Sequence, residues 1–261
     1  MDDLLRLLPP IRRARGNRLY AADGRRYLDL WLDDGRGMLG DGDRHARTFA
    51  ANAADKGLTR PYPGLYDKRF ERAIRETWPG FVALRLFSSE ERALAAAAGI
   101  VGSANAGSAG SSVVVARPFA PVPDDVEVAI PRLPCPRPFS PFCVMARSED
   151  LFAGEPGDLV PAQSLVAAAR GLASLQTAIR EGYGEALWSR FDRRLAEFFD
   201  RCGPYLSPKP FPGGLEAFFK AALEGGALVS PRPDAPSVIP PDFDDGELAK
   251  LAKALAKGAG D

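Results

Sequence analysis

Residues 118–141 of this 261-residue chain hold eight prolines, and no other feature constrains the fold as strongly. Each proline fixes φ and removes a backbone donor, so the interval is not an ordinary run of central strands. It reads as a semi-rigid connector more economically than as a PxxP ligand. Before it, residues 68–78 read as a helix, 82–87 as a strand, 90–101 as an alanine-rich helix and 102–112 as a Gly/Ser/Ala/Asn loop. The β-branched runs 113–116 and 126–130 are of strand type, with 142–146 as a further one. Strands separated by a helix at this spacing fit an α/β sheet.

After the connector the pattern turns helical. Segments 161–180 and 184–201 are amphipathic, the second carrying Leu187, Phe191, Leu195, Phe198 and Phe199 on one broad face. A helix over 215–223 stops at Gly225-Gly226. The last helix starts at Asp244, which with Glu247 forms an Asp-based relative of the capping box, and it buries Leu248, Leu251 and Leu255. At the other end, G-N-R-L-Y-A-A-D-G-R-R-Y-L-D-L-W (16–31) reads as a hairpin, with 18–22 and 25–30 alternating around an Asp23-Gly24 turn. A short amphipathic helix with Leu4, Leu5, Leu7 and Leu8 precedes it, and a helix over 45–57 follows G-R-G-M-L-G (35–40). Three blocks result, divided as 1–61, 62–160 with the connector at 117–141, and 161–261. No period of 20 to 50 residues repeats, which excludes a solenoid or propeller.

Lys+Arg and Asp+Glu both number 34, a balance that argues against nucleic acid or an anionic membrane as partner. No apolar stretch approaches the roughly 20 residues of a bilayer span, and residues 1–10 carry two aspartates where a signal peptide is basic. A cytoplasmic location is expected. Cys135, Cys143 and Cys202 form no C-x-x-C pair and His45 is the sole histidine, so neither a disulfide framework nor a metal site is indicated. Gly102, Gly107 and Gly110 make no G-x-G-x-x-G after a strand, and no G-K-[ST] occurs. Ser88 and Ser89 have no histidine base at a suggestive position. The acidic pairs Asp33-Asp34 and Asp244-Asp245 read as solvated turn and cap residues.

The hairpin wording, followed by M-L-G and a helix, resembles the N-terminal segment of class III, fold type I, pyridoxal-phosphate aminotransferases, glutamate-1-semialdehyde aminomutases among them. L-R-L-F-S-S-E-E-R-A-L-A-A-A (84–97) is similar to the family's strand, its S-G-S/T-E-A phosphate-binding turn and the helix behind it. L-V-P-A-Q-S-L-V-A-A-A-R-G-L-A-S-L (159–175) is similar to its G-T-x-x-x-N-P-x-x-x-A-A-x-L-A-x-L segment. E-G-G-A-L-V-S-P (224–231) and I-P-P-D-F-D-D-G-E-L-A-K-L (239–251) are similar to its C-terminal small domain. The resemblance implies an α/β fold class: a reduced fold type I PLP-transferase-like architecture, with a shortened central sheet and an α+β small domain. Block 1–61 is then the N-terminal segment packing with the small domain, 62–160 a shortened large domain, and 161–261 the helical C-terminal part with the small domain.

The same resemblance exposes departures. The family's chemistry needs a Schiff-base lysine, an aspartate against the pyridinium nitrogen and a helix N-terminus for the phosphate. The lysines here are Lys56, Lys68, Lys209, Lys220, Lys250, Lys253 and Lys257, and none follows a strand inside the second block, where the family places its own. The Asp-Glu pair that ends a strand upstream of that lysine has no counterpart; Asp124-Asp125 precedes a strand instead. The phosphate turn corresponds to Ser88, Ser89, Glu90 and Glu91. Ser89 replaces a glycine that allows close backbone approach, and Glu90 replaces a hydroxyl donor. A carboxylate in the first helical turn gains roughly 0.3 to 1 kcal/mol from the macrodipole and repels a phosphate dianion, so a self-capped helix start is the better reading. Val160 stands where the partner subunit's phosphate-binding threonine would be, and Asp41 and Asp43 where the family commonly has histidines.

These departures imply no catalytic residue, no metal and no cofactor, pyridoxal phosphate having been lost. The expected function is that of a non-catalytic aminotransferase-like protein with a structural, regulatory or partner-binding role. The alternatives are a PLP-binding aminotransferase or aminomutase-type enzyme, and a small-metabolite binding protein that reuses the remnant cleft. Val113, Val114, Val115, Val126, Val128 and Ile130 are residues of a sheet covered on both faces, and losing neighbours leaves edges that invite pairing. A homodimer, or a heterodimer with an intact relative, is the expected assembly.

Overall fold

The computed structural model describes residues 3–40, 44–104 and 113–260. After a 3-10 turn at Asp3–Leu7, the elements in chain order are β1 (Ile11–Arg15), β2 (Arg18–Ala21), β3 (Arg26–Asp29), α1 (Arg44–Asp55), α2 (Leu65–Thr77), β4 (Ala83–Phe87), α3 (Glu90–Ala104), β5 (Val114–Ala116), β6 (Val128–Pro131) and β7 (Phe142–Ala146). Then follow α4 (Ala162–Arg180), α5 (Glu185–Leu195), β8 (Phe199–Cys202), β9 (Tyr205–Pro208), α6 (Gly214–Glu224), β10 (Ala227–Leu228), β11 (Ser237–Val238) and α7 (Asp245–Gly260). Asp41, Asp43 and most of the Gly/Ser loop at 102–112 lie outside the described residues, as does the side chain of His45.

The chain forms two compact units, Met1–Asp43 with Leu175–Asp261, and Arg44–Ser174. These divisions differ from the sequence blocks at 61 and 160, because α1 contributes Ala50, and α4 contributes Leu165 and Leu172, to the core of the middle unit.

In the unit made by the chain ends, one sheet has the order β1-β2-β3-β10 and a second the order β11-β9-β8. The hairpin forms, but Asp23-Gly24 does not close it as a two-residue turn. Gly24 N–H donates to the Ala21 carbonyl at 3.2 Å and Ala21 N–H to the Arg25 carbonyl at 2.9 Å, a three-residue loop in which Gly24 takes φ 88° and the Asp23 carboxylate accepts the Arg25 N–H at 3.0 Å. β1 is an addition that periodicity does not reveal, since all five of its side chains are exposed and only backbone pairing with β2 makes it a strand. The expected helix over 184–201 ends at Leu195. Residues 199–202 instead pair antiparallel with β9 across Gly203, at φ 57°, and Pro204. The turn chemistry of Gly-Pro overrides the helical spacing of Phe198 and Phe199. The α7 start behaves as a capping box, with Asp244 N–H donating to Glu247 at 3.0 Å and Gly246 N–H to Asp244 at 2.7 Å.

The middle unit is built on a four-stranded sheet of order β4-β7-β6-β5. β7 runs antiparallel to β4 and β6, while β5 and β6 are parallel; β4, β5 and β6 therefore share one direction. β6 lies inside the proline-rich interval, and its Pro131 takes the last paired position, opposite Ala116. Side chains alternate between two apolar layers. Ala83, Phe87, Val128, Val144 and Ala146 meet Ala93, Ala97 and Ile100 of α3, whereas Ala129, Cys143 and Met145 meet Phe70 and Ile74 of α2 and Leu165 and Leu172 of α4. Helices on both faces explain why these strands read as apolar runs.

Candidate functional site

Where parallel strands share a direction, ligands bind in the crevice beyond their carboxyl ends. In the middle unit the ends of β4, β5 and β6 supply that edge, and the residues that follow them are Ser88, Arg117 and Arg132. The two lysines of this unit, Lys56 and Lys68, lie just past α1 and on α2, so neither ends a strand.

After β4 the chain turns through Ser88 and Ser89 into α3. The Ser89 hydroxyl accepts the Arg92 N–H at 3.2 Å, a side-chain cap for the helix start. Ser88 is engaged by a residue far along the chain: its N–H and its hydroxyl both donate to the Asp158 carboxylate, at 2.9 and 2.6 Å. Arg92 donates to the same carboxylate through Nε at 3.1 Å and Nη2 at 2.9 Å. The Ser88 hydrogen bonds, hydroxyl first, with Arg92 adding to them, hold the Asp158 carboxyl below the usual carboxylate range. Asp158 reaches the turn because the segment before it lies beside β4, its own N–H donating to the Leu86 carbonyl at 2.7 Å. Gly157 permits that approach: it has φ +75°, and a Cβ there would sit 2.8 Å from the Leu86 carbonyl oxygen.

Glu90, the first residue of α3, faces arginines on two sides. Arg132 Nη1 lies 3.9 Å from one carboxylate oxygen and Arg137 Nη1 3.8 Å from the other. The Arg132 side chain is only 12 % exposed, and its backbone N–H donates to Ala116 at 2.7 Å, which ties the end of β6 to that of β5. Two carboxylates therefore stand at the helix start. A phosphate dianion placed at this turn would have to displace Asp158 from Ser88 and lie beside Glu90, with like charges opposing it. The donor set does not fit the phosphate of pyridoxal phosphate.

The structure brings Ser88, Ser89 and Glu90 together at one turn. Glu91 is exposed, and Val160 is buried in the core with Leu165 and Leu172. Sequence reasoning missed Asp158, which is separated from Ser88 by 70 positions, and Arg132, which an arginine directly after a strand could have signalled. It also misread Asp34. That carboxylate is 2 % exposed and pairs with Arg232 Nη2 at 3.2 Å, because Leu32, Asp33 and Asp34 take left-handed conformations at φ 51°, 50° and 59° that no side-chain pattern announces.

No protein-family profile matches the chain. It is 27 % identical to an uncharacterized protein of Treponema pallidum across 91 % of each. A segment covering 24 % of this chain and 23 % of an uncharacterized protein of Borreliella burgdorferi is 40 % identical. Among solved structures it is similar to an omega-transaminase from Sphaerobacter thermophilus, with TM-score 0.67, 12 % identity, and 97 % of this chain and 91 % of that one covered. It is likewise similar to the beta-phenylalanine aminotransferase of Variovorax paradoxus, with TM-score 0.65, 16 % identity, and 96 % and 86 % covered. The ornithine delta-aminotransferase of Plasmodium falciparum aligns with TM-score 0.64, 12 % identity, and 96 % and 94 % covered. The chain thus has the fold of the class III, fold type I aminotransferases.

Proposed function

We propose that this protein is a non-catalytic member of the aminotransferase fold, acting in the cytoplasm as a structural, regulatory or partner-binding subunit and assembling as a dimer. The observation that carries the reading is the Asp158 carboxylate on Ser88: the turn that the resemblance assigns to a cofactor phosphate is closed by the chain's own acid, with Glu90 beside it. Arg117 and Arg132 at the strand ends support it further, since a guanidinium stays protonated and is no amine nucleophile. Soluble aminotransferase-fold enzymes commonly pair, and no described helix is long and apolar enough to cross a membrane.

The deciding experiment is an absorbance scan of purified protein with added pyridoxal phosphate, before and after borohydride, followed by peptide mapping. No stoichiometric chromophore fixed to a single lysine is expected. A band that borohydride locks onto one of the seven lysines would overturn the reading. Sedimentation at micromolar and lower concentrations tests the assembly separately; a well-behaved 28.0 kDa monomer throughout removes the dimer.

A further inference from the structure

The middle unit also carries a groove of about 640 Å³ between α1, α2 and α4, lined by no residue of the strand-end turn. Its walls hold Phe49, Lys56, Tyr66, Arg69, Arg72 and Arg170, four cations and two aromatic rings. The rings fix the cations. The Arg170 guanidinium lies 5.2 Å from the Phe49 ring centroid, and that of Arg69 lies 5.5 Å from the Tyr66 centroid. A guanidinium stacked on a ring keeps its N–H edge for an anion and loses little freedom when it binds one.

Counter-charge is short in the groove. Glu76 is the single acid of the lining and stands 3.9 Å from Arg72. Among the described residues Lys56 and Arg69 have no acidic partner. The Arg170 Nε is buried without a hydrogen-bond acceptor, a donor whose burial is costly until something accepts from it. The imbalance is regional, since residues 44–78 carry eight Lys/Arg against four Asp/Glu in a chain whose formal charge is zero.

We propose that this groove binds a small organic anion, a carboxylate or phosphate ester joined to a flat apolar body. The acid group accepts from Arg170 and the neighbouring cations, and the body lies along Phe49 and Tyr66. The volume falls within the range of about 300 to 1,000 Å³ that accommodates such ligands. This inference stands independently of whether the protein binds pyridoxal phosphate at the strand-end turn.

The test is fluorescence titration of the full chain with 1-anilinonaphthalene-8-sulfonate at low ionic strength. One saturable site per chain is expected, weakened by about tenfold, roughly 1.4 kcal/mol, in Arg170→Gln and in Arg69→Gln. Arg75→Gln, which removes a cation of α2 that pairs with Glu71 and does not line the groove, should leave the affinity unchanged. N-phenyl-1-naphthylamine, which lacks the sulfonate, should bind at least about tenfold more weakly. Displacement by phenyl phosphate or by benzoate tells which acid group the site prefers. Absence of a saturable site, equal affinity in the two groove variants and wild type, or equal affinity for the neutral analogue overturns the proposal. If Arg170→Gln fails to fold, Arg69→Gln carries the test. Loss of self-association in the groove variants, with no dye site in the wild type, would reassign the groove as an interface between copies and likewise overturn it.

Discussion

In the unit built from the two chain ends, ion pairs fasten one secondary-structure element to another. Arg18 of β2 donates to Glu247 at 2.9 Å through both Nε and Nη2, and to Asp242 at 2.6 Å. Arg201 of β8 forks onto Asp192 and also reaches Glu185, and the carboxylates raise the pKa of both guanidinium groups. In the middle unit the carboxylates do something else. Asp158 takes both donors of Ser88 and Glu90 faces Arg132, directly after β6, and Arg137, at the edge where parallel strands present donors to ligands. The same acid–guanidinium chemistry is a fastener in one unit and a plug in the other. Removing an acid from the first leaves a shielded cation with one counter-charge in place of two; removing Asp158 from the second frees the donors of Ser88.

This contrast can be broken or sharpened by four single substitutions and one double. The largest effect is expected for Gly171→Ala in α4, where a Cβ would lie 2.2 Å from the Pro134 carbonyl oxygen. Backbone cannot yield cheaply there, so the cost is about 3 kcal/mol or more. A urea midpoint equal to wild type would show that α4 does not pack on the proline-rich segment, and the rigid frame behind the plug would go with it. Next, Arg18→Ala removes three charge-assisted hydrogen bonds from a side chain only 15 % exposed and should cost about 2 to 3 kcal/mol. Insensitivity of thermal unfolding to this change would end the fastener interpretation. Tyr183→Phe follows at about 1 kcal/mol, since its buried hydroxyl donates to the Ile239 carbonyl at 2.6 Å; burial also pushes its pKa up.

Asp158→Asn has the smallest effect on stability at neutral pH and the sharpest diagnostic. Because its folded-state pKa is lowered, the ionised carboxylate stabilises the fold above the ordinary value of about 3.9. That contribution fades as pH falls through the lowered folded-state value. The variant should lose this part of the acid-side slope, so parallel acid unfolding curves for variant and wild type would exclude it. Combined with Glu90→Gln, the substitution should also give sulfate a protective effect on thermal unfolding that the wild type lacks, as the Ser88 donors and the helix start become available. Sulfate protection of equal size in both proteins would mean that these acids plug nothing.

How legible all this was depended on the range of the forces involved. The hairpin around Asp23-Gly24, the Asp244/Glu247 cap and the apolar runs of β4, β6 and β7 follow from interactions among residues a few positions apart, or from local composition. Sequence therefore determined these elements, the α/β class and the family likeness, and it singled out Ser89 and Glu90 at the turn that the resemblance assigns to a phosphate. Three features were decided by tertiary structure alone: the pairing of β1, the buried Asp34–Arg232 pair, and the placement of Asp158 on Ser88. A carboxylate 70 positions away leaves no periodic trace at the turn it closes. It arrives only because Gly157 lets the backbone lie within contact of β4, and hydrogen bonds of that kind depend on distance in space and not on separation along the chain.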